Sequence, residues 1–85
     1  MSIDAIRGRI RDQLTLGYLK DVKDGRLGVV KIQEFIPILE DALEKAERSG
    51  RRVVIKNMVV ESPWSLGADE IQDQIASLRR VLTKI

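Results

Sequence analysis

The C-terminal stretch ADEIQDQIASLRRVLTKI constrains the fold most. In it Ile71, Ile75, Leu78, Leu82 and Ile85 recur at intervals of four, three, four and three residues, the seam that a helix of 3.6 residues per turn presents on one side. Asp69, Glu70 and Asp73 open the segment and Arg79, Arg80 and Lys84 close it, which suits the helix macrodipole at both ends. Two heptads are too short for an autonomous coiled coil. The helix must therefore dock on the rest of the chain, on a sheet, or on its twin in a dimer.

The remaining segments are candidates for that cover. At the N-terminus Ile3, Ile6, Ile10 and Leu14 keep the three-four spacing behind a possible Ser2 cap, predicting an amphipathic helix over residues 3–15. Beyond Gly17 the apolar residues Tyr18, Leu19 and Val22 fall on a different face, which predicts a bend and a short second helix up to Lys23, stopped by Asp24-Gly25. In the middle, Ile36, Leu39, Leu43 and Ala46 continue a helical stripe closed by Ser49-Gly50. Pro37 is most comfortable in a first helical turn, because an interior proline costs about 3 kcal/mol. The expectation is a short strand over residues 27–32 and a helix over residues 34–49. The competing reading is one unbroken helix from Val29, since Val29 and Ile32 also fit the spacing.

After Gly50 comes RRVVIKNMVVE, rich in β-branched residues. A strand, a helix ended by Gly and a second aliphatic strand is the order of a βαβ unit with parallel, buried strands, and that is the preferred reading. One rival is a hairpin turning at Lys56-Asn57, with Arg52 opposite Glu61. A second rival is a short helix carrying Val54, Ile55, Met58 and Val59. The predicted fold is one small α/β or α+β domain spanning residues 1–85 in the order α-β-α-β-α, with a minimal two-stranded sheet. The alternative is an all-α four-helix arrangement.

Composition narrows the chemistry. The 85 residues contain no Cys and no His, which removes thiolate and imidazole catalysis and the usual zinc and haem ligands. With one Trp, one Tyr and one Phe the core must be aliphatic, and a chain this short buries only about 60 to 65% of its unfolded surface. No cofactor, metal or catalytic residue is expected. The N-terminal segment alternates charge with isoleucine and does not resemble a signal peptide, and no apolar run reaches the roughly 18 residues of a membrane span. A cytoplasmic protein without a membrane partner is expected.

Several clusters bear on partners. Arg48, Arg51, Arg52 and Lys56 form a basic segment suited to phosphate contacts, yet no recognition-helix, stacking or phosphate-loop pattern accompanies it. Arg7, Arg9 and Arg11 do not share one helical face: Arg7 and Arg11 flank the isoleucine stripe and Arg9 points elsewhere. Glu40, Asp41, Glu44 and Glu47 read as a wet helix face, with Asp41–Lys45 and Glu44–Arg48 as i,i+4 pairs. Asp69 and Asp73 are accounted for by the helix dipole. Trp64 in ESPWSLG is an indole in a predicted loop that either lids the core or anchors a partner.

One stretch, VVKIQEFIPILEDALEKAERSGRRVVI, resembles the segment of chaperonin apical domains in which a short extended stretch leads into a Pro-containing helix, then Gly and an aliphatic strand. The resemblance covers residues 29–55 and stops at the flanks, where ESPWSLGADE does not follow that family. It implies local structure and no site residue.

The expected function is that of a non-catalytic module that binds protein or itself, as adaptor, regulator or inhibitor of a larger assembly. Trp64, Leu66, Ile71, Ile75, Leu78 and Leu82 are the expected contact residues. A two-stranded sheet is hard to stabilise alone, so a homodimer or higher oligomer is expected unless a larger partner covers it. The alternative is a nucleic-acid-binding regulator acting through Arg48, Arg51, Arg52 and Lys56.

Overall fold

The computed structural model describes residues 3–56 and 63–85. Among these the order is α1 (Ile3–Lys23), α2 (Val29–Ser49), β1 (Val53–Lys56), β2 (Pro63–Leu66) and α3 (Ala68–Lys84). The class is α+β, mostly helical, with one antiparallel pair of strands. The sheet excludes the all-α alternative. The order is α-α-β-β-α where α-β-α-β-α was expected.

α1 is one continuous helix through Gly17, where a bend and a second helix were expected. It stops at Asp24-Gly25. Gly25 takes φ 79°, a left-handed conformation that favours glycine, and the amides of Arg26 and Leu27 return to the Asp21 carbonyl at 2.9 and 3.1 Å. Leu27, buried at the start of the next segment, seals the corner.

α2 begins at Val29, so the predicted strand over residues 27–32 is helix. Pro37 lies in its interior. The stripe Ile32, Phe35, Ile36, Leu39, Ala42 and Ala46 is buried along its length, and burying side chains such as Ile32, Phe35 and Leu39 contributes about 1.5–3 kcal/mol each, more than the proline removes. The extended lead-in implied by the apical-domain resemblance is thus absent, while its helix, Gly and strand are present. Gly50 closes α2 at φ 67° with its N–H on the Ala46 carbonyl at 2.9 Å.

β1 and β2 pair antiparallel with Val53 opposite Leu66, Val54 opposite Ser65, Ile55 opposite Trp64 and Lys56 opposite Pro63. The parallel βαβ reading is overturned, because the partner strand comes from ESPWSLG, which was read as loop. The helical rival for β1 falls with it. The hairpin rival had the right sense but the wrong register: Arg52 faces β2 and Glu70, and residues 57–62, including Met58, Val59 and Glu61, lie outside the described residues, as does Ser2. Alternation along the strands sends Ile55, Leu66 and, half-buried, Val53 and Trp64 inward, and Val54, Ser65 and Lys56 outward.

The principal helix pairings are α1 with α3 and α2 with α3, so α3 is the central element. Ile71, Leu78 and Val81 on it are fully buried. No helix among the described residues is long and apolar enough to cross a membrane.

Candidate functional site: an exposed isoleucine stripe and the Trp64 cleft

The α1–α3 contact is largely polar. Asp73, 5% exposed on α3, accepts through Oδ1 from Arg7 Nη2 at 3.1 Å and from Arg11 Nε at 2.6 Å. Its place in the sequence suggested helix-dipole complementarity, but the side chain points into the packing and not to solvent. The Arg11 carbonyl accepts from the Thr15 and Ser77 hydroxyls at 2.7 and 3.1 Å. Tyr18, buried, donates its hydroxyl to Oε1 of buried Gln74. Burial, with the negative charge of Asp21 second, pushes the Tyr18 phenol well above its ordinary range. At the rim Arg80 pairs with Asp12 at 2.7 Å.

Because these polar groups satisfy one another across the helices, α1 turns its Thr15, Tyr18 and Arg11 side toward α3. The isoleucine stripe is left out. Ile3, Ile6 and Ile10 are 76%, 46% and 44% exposed, although their spacing predicted a core-facing side. Leu14, next in the stripe, is half-buried against the core.

The stripe runs into a cleft. Ile10, Gln13, Leu14, Gly17, Tyr18 and Asp21 of α1 face Trp64 of β2 across a space of about 300 Å³. A second depression of about 340 Å³ shares Ile10 and Leu14 and extends to Glu70, Asp73 and Gln74 of α3. Trp64 is half-buried: one side packs on the core and the rest lines the cleft. Gly17 sits opposite, with open space where a side chain would project.

The acids that border the cleft already have partners. Asp21 pairs with Arg26 at 2.7 Å, Glu70 with Arg52 at 2.7 Å, and Asp73 with Arg7 and Arg11. The Arg7 Nε–H is buried without an acceptor among the described residues. Among the described side chains two guanidinium groups share one carboxylate beside the stripe.

Of the contact residues expected from sequence, Leu66, Ile71, Ile75 and Leu78 are buried in the chain's own core. Of these four, Ile75 also lines a surface depression, with Glu40, Leu43, Gln72, Ala76 and Arg79. Trp64 and Leu82 are half-buried at its margin. The basic segment is partly compensated. Arg48 pairs with Glu44 at 2.6 Å, and Arg52 is spent on Glu70, the Ser65 hydroxyl and the Ser65 carbonyl. Arg51 and Lys56 are exposed and carry no ion pair among the described residues. The predicted Asp41–Lys45 and Glu44–Arg48 pairs are present at 3.2 and 2.6 Å. Among the described residues no group of three or more acidic side chains is placed to hold a metal ion.

Sequence reasoning missed Ile3, Ile6, Ile10 and Gly17 as surface candidates. The available signal was Gly17 itself, a helix-breaking residue inside a helical pattern with no turn to make. Comparison of the chain with models of protein families, with curated proteins and with solved structures finds no match.

Proposed function

We propose that the protein is a non-catalytic protein-binding module of the cytoplasm, serving as adaptor, regulator or inhibitor of a larger assembly, and that it binds through the α1 stripe and the Trp64 cleft. The observation that carries this reading is the exposure of Ile3, Ile6 and Ile10 in one line leading to a half-buried indole. A domain this small has little apolar surface to spare for its core. A contiguous apolar strip left outside marks an interaction surface, and Trp, present at its end, is one of the residue types enriched among interface anchors. The lack of His and Cys in the sequence is consistent with a role without chemistry.

The test is affinity capture from extracts of the source cells with the wild-type protein and with the Ile6→Ser/Ile10→Ser variant as matched baits. Both residues are exposed, so circular dichroism should show the fold retained. A protein held by the wild type and lost from the variant supports the reading. Identical capture by both baits would refute it.

A second reading has its own observation. The sheet has only two strands among the described residues, so each strand has one edge without a strand neighbour among them, and Val54 of β1 is 68% exposed. This favours edge-to-edge self-association into a homodimer. Sedimentation of Val54→Pro against wild type decides it: a dimer that the proline abolishes is expected, and a wild-type monomer across the concentration range removes it.

A further inference from the structure

Resting on the protein-binding reading above, we propose that the exposed stripe from Ile3 to Ile10 and the Gly17–Trp64 cleft it leads into receive one helix of a partner protein, amphipathic and acidic along the edges of its apolar face. The span fits a helix. Ile3 to Gly17 covers roughly 21 Å of α1 at 1.5 Å per residue, the length over which a partner helix sets anchors at i, i+3 or i+4, i+7 and i+11. The wall of the cleft supports this as well. Gly17 lies inside a continuous helix, without positive φ and with open space around the position of its absent Cβ. Neither backbone nor packing requires glycine there, and glycine weakens a helix. What it does is keep the cleft facing Trp64 open.

Charge selects the partner. At 100° per residue Arg7 and Arg11 lie on one side of the isoleucines and Arg9 on the other. Arg7 and Arg11 share a single oxygen of Asp73. Arg9 is exposed and has no ion pair among the described residues. The nearby acids Asp21, Glu70 and Asp12 are held by Arg26, Arg52 and Arg80. Along Ile3 to Ile10 an approaching carboxylate meets exposed Arg9 on one flank and the Arg7–Arg11 pair on the other, whereas at the Gly17 end Asp21 and Asp24 share Arg26, so the acidic preference belongs to the part of the helix that lies over the isoleucines. The same arrangement opposes a second copy. In an antiparallel two-fold pairing of this face each flank meets its equivalent, and in a parallel one it meets the opposite flank, so arginines face arginines either way.

The experiment uses a phage-displayed library of random peptides about 16 residues long, four to five turns, panned against the full chain. Expected are clones with apolar residues at helical spacing and Asp or Glu flanking them. A synthetic peptide of the enriched sequence should shift Trp64 emission to shorter wavelength and lose affinity as salt rises. It should bind Gly17→Leu about tenfold more weakly, the scale of one buried anchor. Because Leu favours helix over Gly, Gly17→Leu should stay folded, and Arg9→Glu gives an independent second variant with a similar loss.

No enriched clones, or enriched clones that are basic or uncharged, would overturn the proposal, as would unchanged affinity for Gly17→Leu. Self-association in sedimentation that Gly17→Leu abolishes would overturn it in favour of a second copy. Should a cellular partner still require Ile6 and Ile10 while the peptides show no acidic preference, the protein-binding reading stands and only the acidic helix is lost.

Discussion

Tyr18 and Gly17 are neighbours on α1 with opposite duties. The Tyr18 hydroxyl supplies a donor to a buried amide oxygen, so Tyr18→Phe should leave Gln74 short of a partner and cost about 1–2 kcal/mol at neutral pH. Its phenol is pushed up in the folded state relative to about 10 in the unfolded chain. Below about pH 10 both states keep the proton, and the native contribution is complete. Above it the unfolded chain ionises while the folded one does not, so stability falls by up to about 1.4 kcal/mol per pH unit. Urea titrations from neutral to alkaline pH should show this slope in wild type and its loss in Tyr18→Phe, and tyrosinate absorbance reports the sole Tyr directly. Gly17 should behave in the reverse sense. With open space around it, Gly17→Ala should stabilise the protein by about 0.5–1 kcal/mol while narrowing the cleft. A variant more stable in urea but poorer at binding would show that the position is kept for contact and not for folding.

At the scale of elements, α2 shows how a local penalty loses to a long stripe. Pro37 argued for a helix starting near Glu34, yet α2 starts at Val29, because only the longer helix buries Ile32 with Phe35, Ile36 and Leu39. Pro37 lies on the exposed side. Replacing it with Ala restores a backbone donor and removes a ring clash worth about 3 kcal/mol, offset by about 0.5–1 kcal/mol of regained freedom in the unfolded chain. Pro37→Ala should therefore gain about 2 kcal/mol in chemical denaturation with no change in denaturant slope, and a loss of stability would show that the proline sets a needed bend. α3 was legible from its seam because apolar spacing alone places Ile71, Ile75 and Leu78. α1 was not, since its buried side is built from Arg11, Thr15 and Tyr18, which meet Asp73, Ser77 and Gln74 on a helix more than fifty residues away in sequence. Periodicity of apolar residues carries no record of polar groups that satisfy each other across a gap of that length. β2 was hidden for a related reason: Pro63, Ser65 and Gly67 in ESPWSLG signal a turn, and only its pairing with Val53–Lys56 makes a strand of it. The candidate site was legible only at Trp64, because an exposed stripe and a buried one have the same spacing.

For the whole molecule the question is how many independent parts so short a chain holds. α1 and α2 each pair chiefly with α3, and α3 is tied to both by ion pairs at its surface, Arg80 to Asp12 at 2.7 Å and Arg79 to Glu40 at 3.3 Å. Exposed pairs of this kind contribute about 0–1 kcal/mol each, so the fully buried Ile71, Leu78 and Val81 carry the assembly. A wound in α3 should consequently be felt in every element at once. Leu78→Ala removes a side chain with no exposure and should cost about 3 kcal/mol. That is a large share of the roughly 4–13 kcal/mol such a chain can hold, and each kcal/mol lowers the midpoint by about 4–8 °C at this size. Helicity by far-ultraviolet circular dichroism and Trp64 emission should fall together in both wild type and variant, in one transition displaced downward by more than about 10 °C. Separated transitions, with helicity outlasting the Trp64 signal, would mean that the sheet and its cleft open independently of the helices. The docking surface would then be formed by a partner's arrival instead of waiting for it.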